Sequence, residues 1–342
     1  MNTRILFLVL LILVTNSAGM AGSGQRTGTN GAAELLIPVG TRDIAMAGST
    51  LAVASGIDAL FWNPAGSAFV VRDVSFYASH MAYIADIGVD YGAVSANVEG
   101  FGVLSLNLKI LSIGDIPVTT AQYPDGTGTS FEPQYFMIGL TYARRLTDRI
   151  SVGATGTLLT ERMAEVSASG VSFNAGLIYA NLGGISGLSF GVVVKNIGPQ
   201  MKFEGPGLNI DAVGGGLERG TMDYSIQAAG FELPSTFELG LAYRAIVAED
   251  NALTMASSYE DNNFADDSYK FGLEYGFRDL LFLRGGYNYQ PPGSADRENI
   301  YGITFGAGVH MNVGSVDVTF DYAFRSTKFF NNNHVFSVKL GF

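Results

Sequence analysis

Hydrophobic residues alternate with small or polar residues along the stretch 301–342. The apolar positions of its first run are Tyr301, Ile303, Phe305, Ala307, Val309 and Met311. The alternation restarts at Val316 and again at Phe336. A period of two residues predicts β-strands that have one apolar face. A soluble β-sandwich and a membrane barrel with lipid around it both produce this pattern, so periodicity alone does not separate them.

The same alternation recurs along most of the chain and predicts fourteen strands. They are expected at residues 73–83, 90–98, 102–112, 134–146, 149–162, 168–180, 187–197, 235–247, 251–260, 267–277, 280–290, 300–311, 315–326 and 333–342. Most have about 10 to 13 residues, which is long enough to cross a bilayer at a tilt.

Charged residues of these strands occupy the face opposite the bulky apolar residues. They are Lys109, Lys195, Glu238, Arg244, Lys270, Glu274, Arg284, Asp317, Asp321, Arg325 and Lys339. Charges at strand centres are costly against lipid but ordinary in a wet or plugged lumen. We therefore predict that all eleven face the lumen of a barrel.

The connections between the predicted strands alternate between short and long. Tight turns at 147–148 and 278–279 contrast with long connections at 114–133 and 199–234. This alternation is typical of outer-membrane barrels, whose short turns face the periplasm. The fold class predicted is an all-β membrane protein, a 14-stranded antiparallel transmembrane β-barrel occupying residues 72–342.

The N-terminal residues 1–21 have the composition of a signal peptide. Arg4 precedes the apolar run 5–14, and small residues follow through Ala21. This order is typical of a cleaved secretory signal. An uncleaved membrane anchor is the alternative, but the run is too short to span a bilayer comfortably. We expect export to the outer membrane of a Gram-negative type of cell.

Residues 22–34 form a predicted linker, and residues 35–71 break the strand alternation. The second segment contains two short Ala-rich helical turns and the motif Asn63, Pro64, Ala65 and Gly66, which favours a turn. A compact apolar segment directly before a barrel is expected to be a small N-terminal plug, or hatch, in the lumen. The alternative is that this segment docks on a periplasmic partner.

Composition excludes several other functions. The net charge of −11 argues against nucleic-acid binding. The chain has no cysteine, and its three histidines, His80, His310 and His334, are far apart. It has no Gly-x-Ser-x-Gly motif, and the acidic loop 260–267 lacks the spacing of an EF-hand. The sequence therefore predicts no enzyme activity, no cofactor and no metal site.

Several motifs resemble the PorV/PorQ family, a branch of the FadL-like outer-membrane barrels. They lie at Gly40–Gly48, Ala59–Gly66, Gly114–Pro117, Leu140–Leu146 and Lys195–Pro199, and Leu233 and Pro234 precede a strand. The resemblance implies a fourteen-stranded barrel with an N-terminal plug. FadL-like relatives pass small hydrophobic molecules, whereas PorV and PorQ serve the type IX protein secretion machinery. The residues that the resemblance carries over are those of the plug motif.

The leading interpretation is a non-enzymatic outer-membrane barrel that supports transport or protein secretion. Its expected partners are outer-membrane lipid and secretion-machinery proteins or cargo on the long extracellular loops. The alternative is a FadL-like passive transporter of a small hydrophobic molecule. A structural barrel without transport is the third possibility.

Overall fold

The computed structural model describes residues 29–70, 72–212, 221–248, 250–291 and 299–342. The predicted signal peptide and most of the predicted linker lie outside the described residues. In the described part of the chain, fourteen antiparallel strands form one closed barrel, and two small hairpins lie in its connections.

The barrel strands follow one another along the chain. They are β1 (Val74–Ala82), β2 (Gly88–Val98), β3 (Gly102–Ser112), β6 (Gln134–Arg145), β7 (Ile150–Met163), β8 (Val166–Ala180), β9 (Leu188–Ile197), β12 (Thr236–Ala248), β13 (Asn251–Asn262), β14 (Ser268–Phe277), β15 (Leu281–Tyr289), β16 (Tyr301–Val313), β17 (Val316–Thr327) and β18 (Asn333–Gly341). The hairpins pair β4 (Ile116–Pro117) with β5 (Ser130–Phe131) and β10 (Asn209–Ala212) with β11 (Met222–Ser225).

The barrel closes where β1 pairs with β18, from Ser75 opposite Gly341 to Ala82 opposite His334. Closure removes the unpaired strand edges that a bilayer would not tolerate. Every strand boundary lies within two residues of its predicted position. The predicted fold class is confirmed. The sequence did not predict the two hairpins, because strands of two to four residues are too short to show alternation.

The bulky apolar side chains point outward and the small and polar ones inward. Phe305 is 52% exposed, whereas its neighbour Thr304 is 1% exposed. Likewise, Leu140 is exposed on the outer surface of β6 and Thr141 is buried inside. This sense of alternation is that of a barrel in lipid, not of a soluble sandwich.

The two ends of the barrel differ. At the end we call the short-turn end, the connections are short, for example 278–280 and 314–315. At the opposite, long-loop end they include 113–133 and 198–235, which carry the two hairpins. β1 begins and β18 ends at the short-turn end, as an even number of strands requires.

Residues 33–68 lie inside the barrel and consist of short helical turns. They are the α-helices α1 (Thr41–Ala45) and α2 (Ala59–Trp62) and the 3-10 turns Ala33–Leu36, Thr50–Ala52, Gly56–Asp58 and Pro64–Ala68. Among the described residues, no helix is long and apolar enough to span a membrane. The buried apolar core is formed between this segment, which we call the plug, and the inner wall, with Leu60 and Trp62 on one side and Tyr77 and Leu159 on the other.

Seven inward-facing glycines let the plug approach the wall closely. We call them the glycine wall: Gly153, Gly176, Gly191, Gly240, Gly272, Gly286 and Gly306, on seven different strands. A Cβ atom at Gly286 would lie 2.5 Å from the carbonyl carbon of Met46, and one at Gly153 would lie 2.4 Å from that of Pro64. Only glycine leaves room for backbone at these distances, so the plug and the wall are fitted to each other.

Candidate functional site

The plug motif forms a turn that is buried against β7 and β8. The Asn63 side chain accepts a hydrogen bond from the backbone N–H of Ala65 through Oδ1 at 3.1 Å. Its Nδ2 donates to the carbonyl oxygens of Leu51 at 3.1 Å and Leu177 at 3.3 Å. Pro64 begins the following 3-10 turn. Asn63 therefore ties two parts of the plug to the barrel, and its motif partners Ala65 and Gly66 are also buried.

A chain of buried charges joins the plug to one side of the barrel. Arg42 of α1 donates from Nε and Nη2 to the two carboxylate oxygens of Glu274, both at 2.8 Å. The Nε of Arg284 donates to Glu274 at 2.7 Å, and its Nη1 donates to Asp321 at 2.5 Å. The two cations and two carboxylates balance, which a buried ionic cluster requires.

Two carboxyl groups of the plug lie near this cluster. Lys339 donates from Nζ to Asp58 at 2.6 Å, a second ionic contact between barrel and plug. Asp43 is fully buried, and its side-chain oxygens have no hydrogen-bond partner among the described residues. Burial raises the pKa of Asp43 to about 7, although Arg42 opposes this shift.

A cavity of about 300 Å³, which we call the chamber, lies above the plug. Phe61 and Trp62 of α2 line it, with ring centroids 5.1 Å apart. Three ammonium groups lie over these rings: Lys109 at 5.2 Å and Lys195 at 5.0 Å from Phe61, and Lys270 at 5.9 Å from Trp62. All three lysines are near the ends of their strands at the long-loop end, so the chamber belongs to that half of the lumen.

Carboxylates pair with two of these lysines. Lys195 contacts Glu238 at 2.5 Å, and Lys270 forms an ion pair with Glu260. Glu238 also lies 3.9 Å from Lys270. The chamber is therefore lined by fixed ion pairs as well as by aromatic rings.

Aromatic hydroxyl groups and a guanidinium complete the wall of the chamber. Arg325 lies over the ring of Tyr301 at 4.0 Å and that of Tyr83 at 5.7 Å. The hydroxyl groups of the two tyrosines are 2.6 Å apart. These contacts place Arg325 in the chamber, apart from the ionic cluster of Arg42, Glu274, Arg284 and Asp321.

The first residues of the plug pass along the chamber wall. Lys109 donates from Nζ to the carbonyl oxygens of Glu34, at 2.7 Å, and Ile37. The backbone N–H of Gly31 donates to the carbonyl oxygen of Glu232 in the loop 198–235. Ala32 and Glu34 are buried, so the packed segment begins earlier than the predicted boundary between linker and plug at residue 35.

Two of the predicted lumen charges lie away from the plug and the chamber. Arg244 follows the inward parity, but it sits near the short-turn end, where its side chain is 54% exposed and 3.9 Å from Asp279. Asp317 is also at that end and binds Arg72. The prediction grouped these two residues with the other nine charges because all eleven point to the same side of their strands. Whether such a charge is buried depends also on how far it lies from the end of the barrel.

Several charged residues of the site were missed by the sequence analysis. They are Glu34, Arg42, Asp43, Asp58, Glu161 and Glu260. Glu260 could have been found, because it shares the parity of the inward residues Thr254 and Ser258. The plug charges give no periodic signal, and only the fold shows what they face.

No group of three or more metal-binding side chains occurs among the described residues. What the geometry provides is a closely fitted plug, fixed ion pairs and a small chamber open toward the long loops.

The hairpin β10–β11 presents an apolar surface at the long-loop end. Ile210 is opposite Tyr224, and Ala212 is opposite Met222, so these residues share one face. Ile210, Met222 and Tyr224 are exposed, as is Ile226 just beyond the hairpin. The other face carries two aspartates, Asp211 and Asp223. We call the first of these surfaces the hairpin face.

Solved structures of outer-membrane channels share this fold. The CymD monoaromatic hydrocarbon channel superposes with a TM-score of 0.56 at 13% identity, covering 89% of this chain and 97% of that one. The toluene transporter TodX of Pseudomonas putida gives 0.53 at 15% identity, covering 88% and 96%. A FadL homologue of Pseudomonas aeruginosa gives 0.51 at 14% identity, covering 89% and 98%. At these identities the similarity establishes the fold alone.

Family membership comes from the sequence. No curated protein matches the chain. The sequence model of one family, described as "Type IX secretion system protein PorV", matches residues 20–262, which include the plug and most of the barrel. With a closed fourteen-stranded barrel around an N-terminal plug, which is the fold of the channels above, this chain belongs to the PorV family.

Proposed function

We propose that this protein is a non-enzymatic outer-membrane barrel that supports protein secretion of the type IX kind. In this proposal the long loops face the cell exterior, and the hairpin face contacts a secreted protein or another component of the machinery. The observation that carries the proposal is the way the lumen is filled. A plug fitted to the glycine wall and held by buried ion pairs leaves the loops as the surface available to a macromolecule.

The hairpin face supports this role because large apolar side chains are exposed on it. Four of them, Ile210, Met222, Tyr224 and Ile226, lie together on one loop. Exposed apolar patches commonly mark protein interaction sites. The aspartates on the opposite face keep the hairpin soluble and disfavour binding to an anionic lipid surface.

Passive transport of a small hydrophobic molecule is the second candidate. The aromatic floor of the chamber, Phe61 and Trp62, favours it, as does the likeness to hydrocarbon channels. The ion pairs Lys195–Glu238 and Lys270–Glu260 weigh against it, because a hydrocarbon in the chamber would exclude water from charged groups without replacing their hydrogen bonds. Protein secretion is therefore the better supported function.

A secretion assay in the cell that makes this protein tests the proposal. Serine replaces all four residues of the hairpin face, and periplasmic and medium fractions are compared for secreted proteins. We expect secreted proteins to accumulate in the periplasm while the barrel remains heat-modifiable on gels. The matched control replaces Asp211 and Asp223 by serine on the opposite face and should secrete normally.

Two results would reject the proposal. Normal secretion in a strain that lacks the whole chain would remove the secretion role. Normal secretion by the hairpin-face variant alone would remove the docking surface. Slower uptake of toluene by the deletion strain, with secretion unchanged, would favour the second candidate.

A further inference from the structure

Residues Gly31–Pro38, which we call the strap, form one wall of the chamber. Ala33, Leu35, Leu36, Ile37 and Pro38 line the cavity directly. The strap runs from the loop 198–235, where Gly31 binds the backbone of Glu232, to β3, where Lys109 binds it. Its internal hydrogen bonds are few: Leu35 N–H to Ala32 O at 3.0 Å and Ile37 N–H to Glu34 O at 3.2 Å. It is therefore held mainly by its contacts with the barrel and the loop 198–235.

One side-chain contact of the strap joins two acids. Glu34 and Glu161 of β7 are each 5% exposed, and their carboxyl groups lie within hydrogen-bonding reach of each other. One oxygen of each carboxyl group has no hydrogen-bond partner among the described residues. Two ionised carboxylates in such a place would repel each other and lack solvation, whereas one shared proton gives a hydrogen bond.

The groups around the pair do not neutralise it. The nearest cation, Lys109 on β3, directs its ammonium group to the carbonyl oxygens of Glu34 and Ile37 and not to a carboxylate. Tyr135 on the intervening strand β6 also lies beside the pair, and it carries no positive charge. A proton is thus the cation that the geometry leaves for the two carboxyl groups.

We propose that Glu34 and Glu161 form a proton-operated latch, in which a shared proton holds the strap against the chamber wall and loss of that proton to the medium releases it. Release would enlarge the chamber toward the long loops. The latch does not depend on the proposed secretion role, since it concerns only the strap and the barrel.

The direction of the pH effect follows from the burial of Glu34. Burial, and then the charge of Glu161, raises the pKa of Glu34 from 4.5 to about 8. In the open state the pKa of Glu34 is expected to be its ordinary 4.5, and in the closed state it is about 8. The shared proton therefore contributes its full stability to the closed state below about pH 4.5, and this contribution is lost as the pH rises toward 8. One proton changes the open-to-closed ratio by up to about tenfold per pH unit within that window.

Hydrogen–deuterium exchange on the full mature chain in detergent measures this opening. Protection of the strap amides is recorded from pH 5.5 to 8.5 and corrected for the intrinsic rate of exchange. We expect protection in the wild type to fall by up to about tenfold per pH unit, up to about pH 8. Amides of 65–68 in the plug should show no such fall, because none of these residues titrates and Asn63 and the glycine wall hold them.

Glutamine variants show whether the shared proton or the packing of the strap causes the protection. The variant Glu34→Gln supplies a permanent hydrogen-bond donor to Glu161, so its strap should stay protected across the range. The exposed Glu132→Gln in the loop 113–133 is the matched control and should behave as the wild type. Constant protection of the wild-type strap, or the same pH dependence in Glu34→Gln as in the wild type, would overturn the latch. If Glu34→Gln does not fold, Glu161→Gln serves the same purpose from the barrel side.

Discussion

Replacing Glu274 by glutamine tests whether buried ion pairs fix the plug in the barrel. The substitution keeps the shape of the side chain but removes the charge that faces Arg42 and Arg284. Three charge-assisted hydrogen bonds are affected, at 2.8, 2.8 and 2.7 Å. Moreover, the new amide has only one acceptor oxygen, so its NH2 group faces at least one guanidinium nitrogen, which is itself only a donor.

The size of the effect follows from the burial of these groups. Hydrogen bonds to charged groups contribute about 1.5–3 kcal/mol each, but losses within one network do not add. Removing one partner of a buried ion pair typically costs about 3–5 kcal/mol, because the remaining charge stays buried. Asp321 still compensates Arg284, so we expect a loss in this range, borne mainly by Arg42 and hence by the plug.

Two measurements report this loss. Urea unfolding of the purified protein in lipid gives the free energy of unfolding, and planar bilayers give the ion conductance of single barrels. Glu274→Gln should lower the first and raise the second. The control is Arg244→Gln, which removes an inward-parity charge that is 54% exposed at the short-turn end. Its cost should be below about 1 kcal/mol, as for other exposed ion pairs.

Equal stability and equal conductance of the two variants would refute the reasoning. A loss of stability without a rise in conductance would show that the ion pairs stabilise the barrel while the glycine wall alone retains the plug.

Three further predictions concern the plug, the lipid face and the orientation. Gly286→Val should displace the plug and raise ion conductance, since the new Cβ would overlap plug backbone. In the control Gly285→Val the nearest atoms to the new Cβ are 3.8 Å away, so conductance should not rise. Equal conductance of the two variants would contradict a close fit between plug and glycine wall. Phe305→Arg should lower the free energy of unfolding in lipid by about 2–4 kcal/mol, the cost of an arginine that faces lipid near the middle of the membrane. A decrease below about 1 kcal/mol would show that this face of β16 does not contact the acyl chains. A cysteine at Asp125 should react with an impermeant maleimide on intact cells, whereas one at Asp148 should not, and labelling of the second site alone would invert the barrel.

The sequence by itself determined the barrel. Alternation such as that of 301–311 determined which side chains share a face, since the period of a strand is two residues and a shift by one would reverse every side chain. The charges on the opposite face then assigned the bulky apolar face to lipid. The alternation also predicted fourteen strands, and an even number of strands places the start of β1 and the end of β18 at the same end of the barrel. Local pattern suffices here because each strand contacts its chain neighbours and only β1 and β18 meet across the whole barrel.

The plug was only partly accessible from sequence. Asn63 and Pro64 predict a turn, because proline restricts the backbone of the residue before it and an asparagine side chain can bind nearby backbone. No local signal shows that Asn63 also binds Leu177 on β8, which is 114 residues away. Nor does the pattern show that glycines on seven strands are small because backbone or side-chain atoms of the plug lie against them.

The tertiary structure alone decided which charges meet. Parity placed Arg244 and Glu274 on the same inward face, yet one is exposed at the barrel end and the other binds Arg42, 232 residues earlier in the chain. The pairing of Glu34 with Glu161 is equally invisible in the sequence, since it depends on how the strap crosses the lumen. Strand periodicity reports the direction of a side chain, but the energy of a buried charge depends on its depth and its partners, and these are set only when the plug is packed inside the closed barrel.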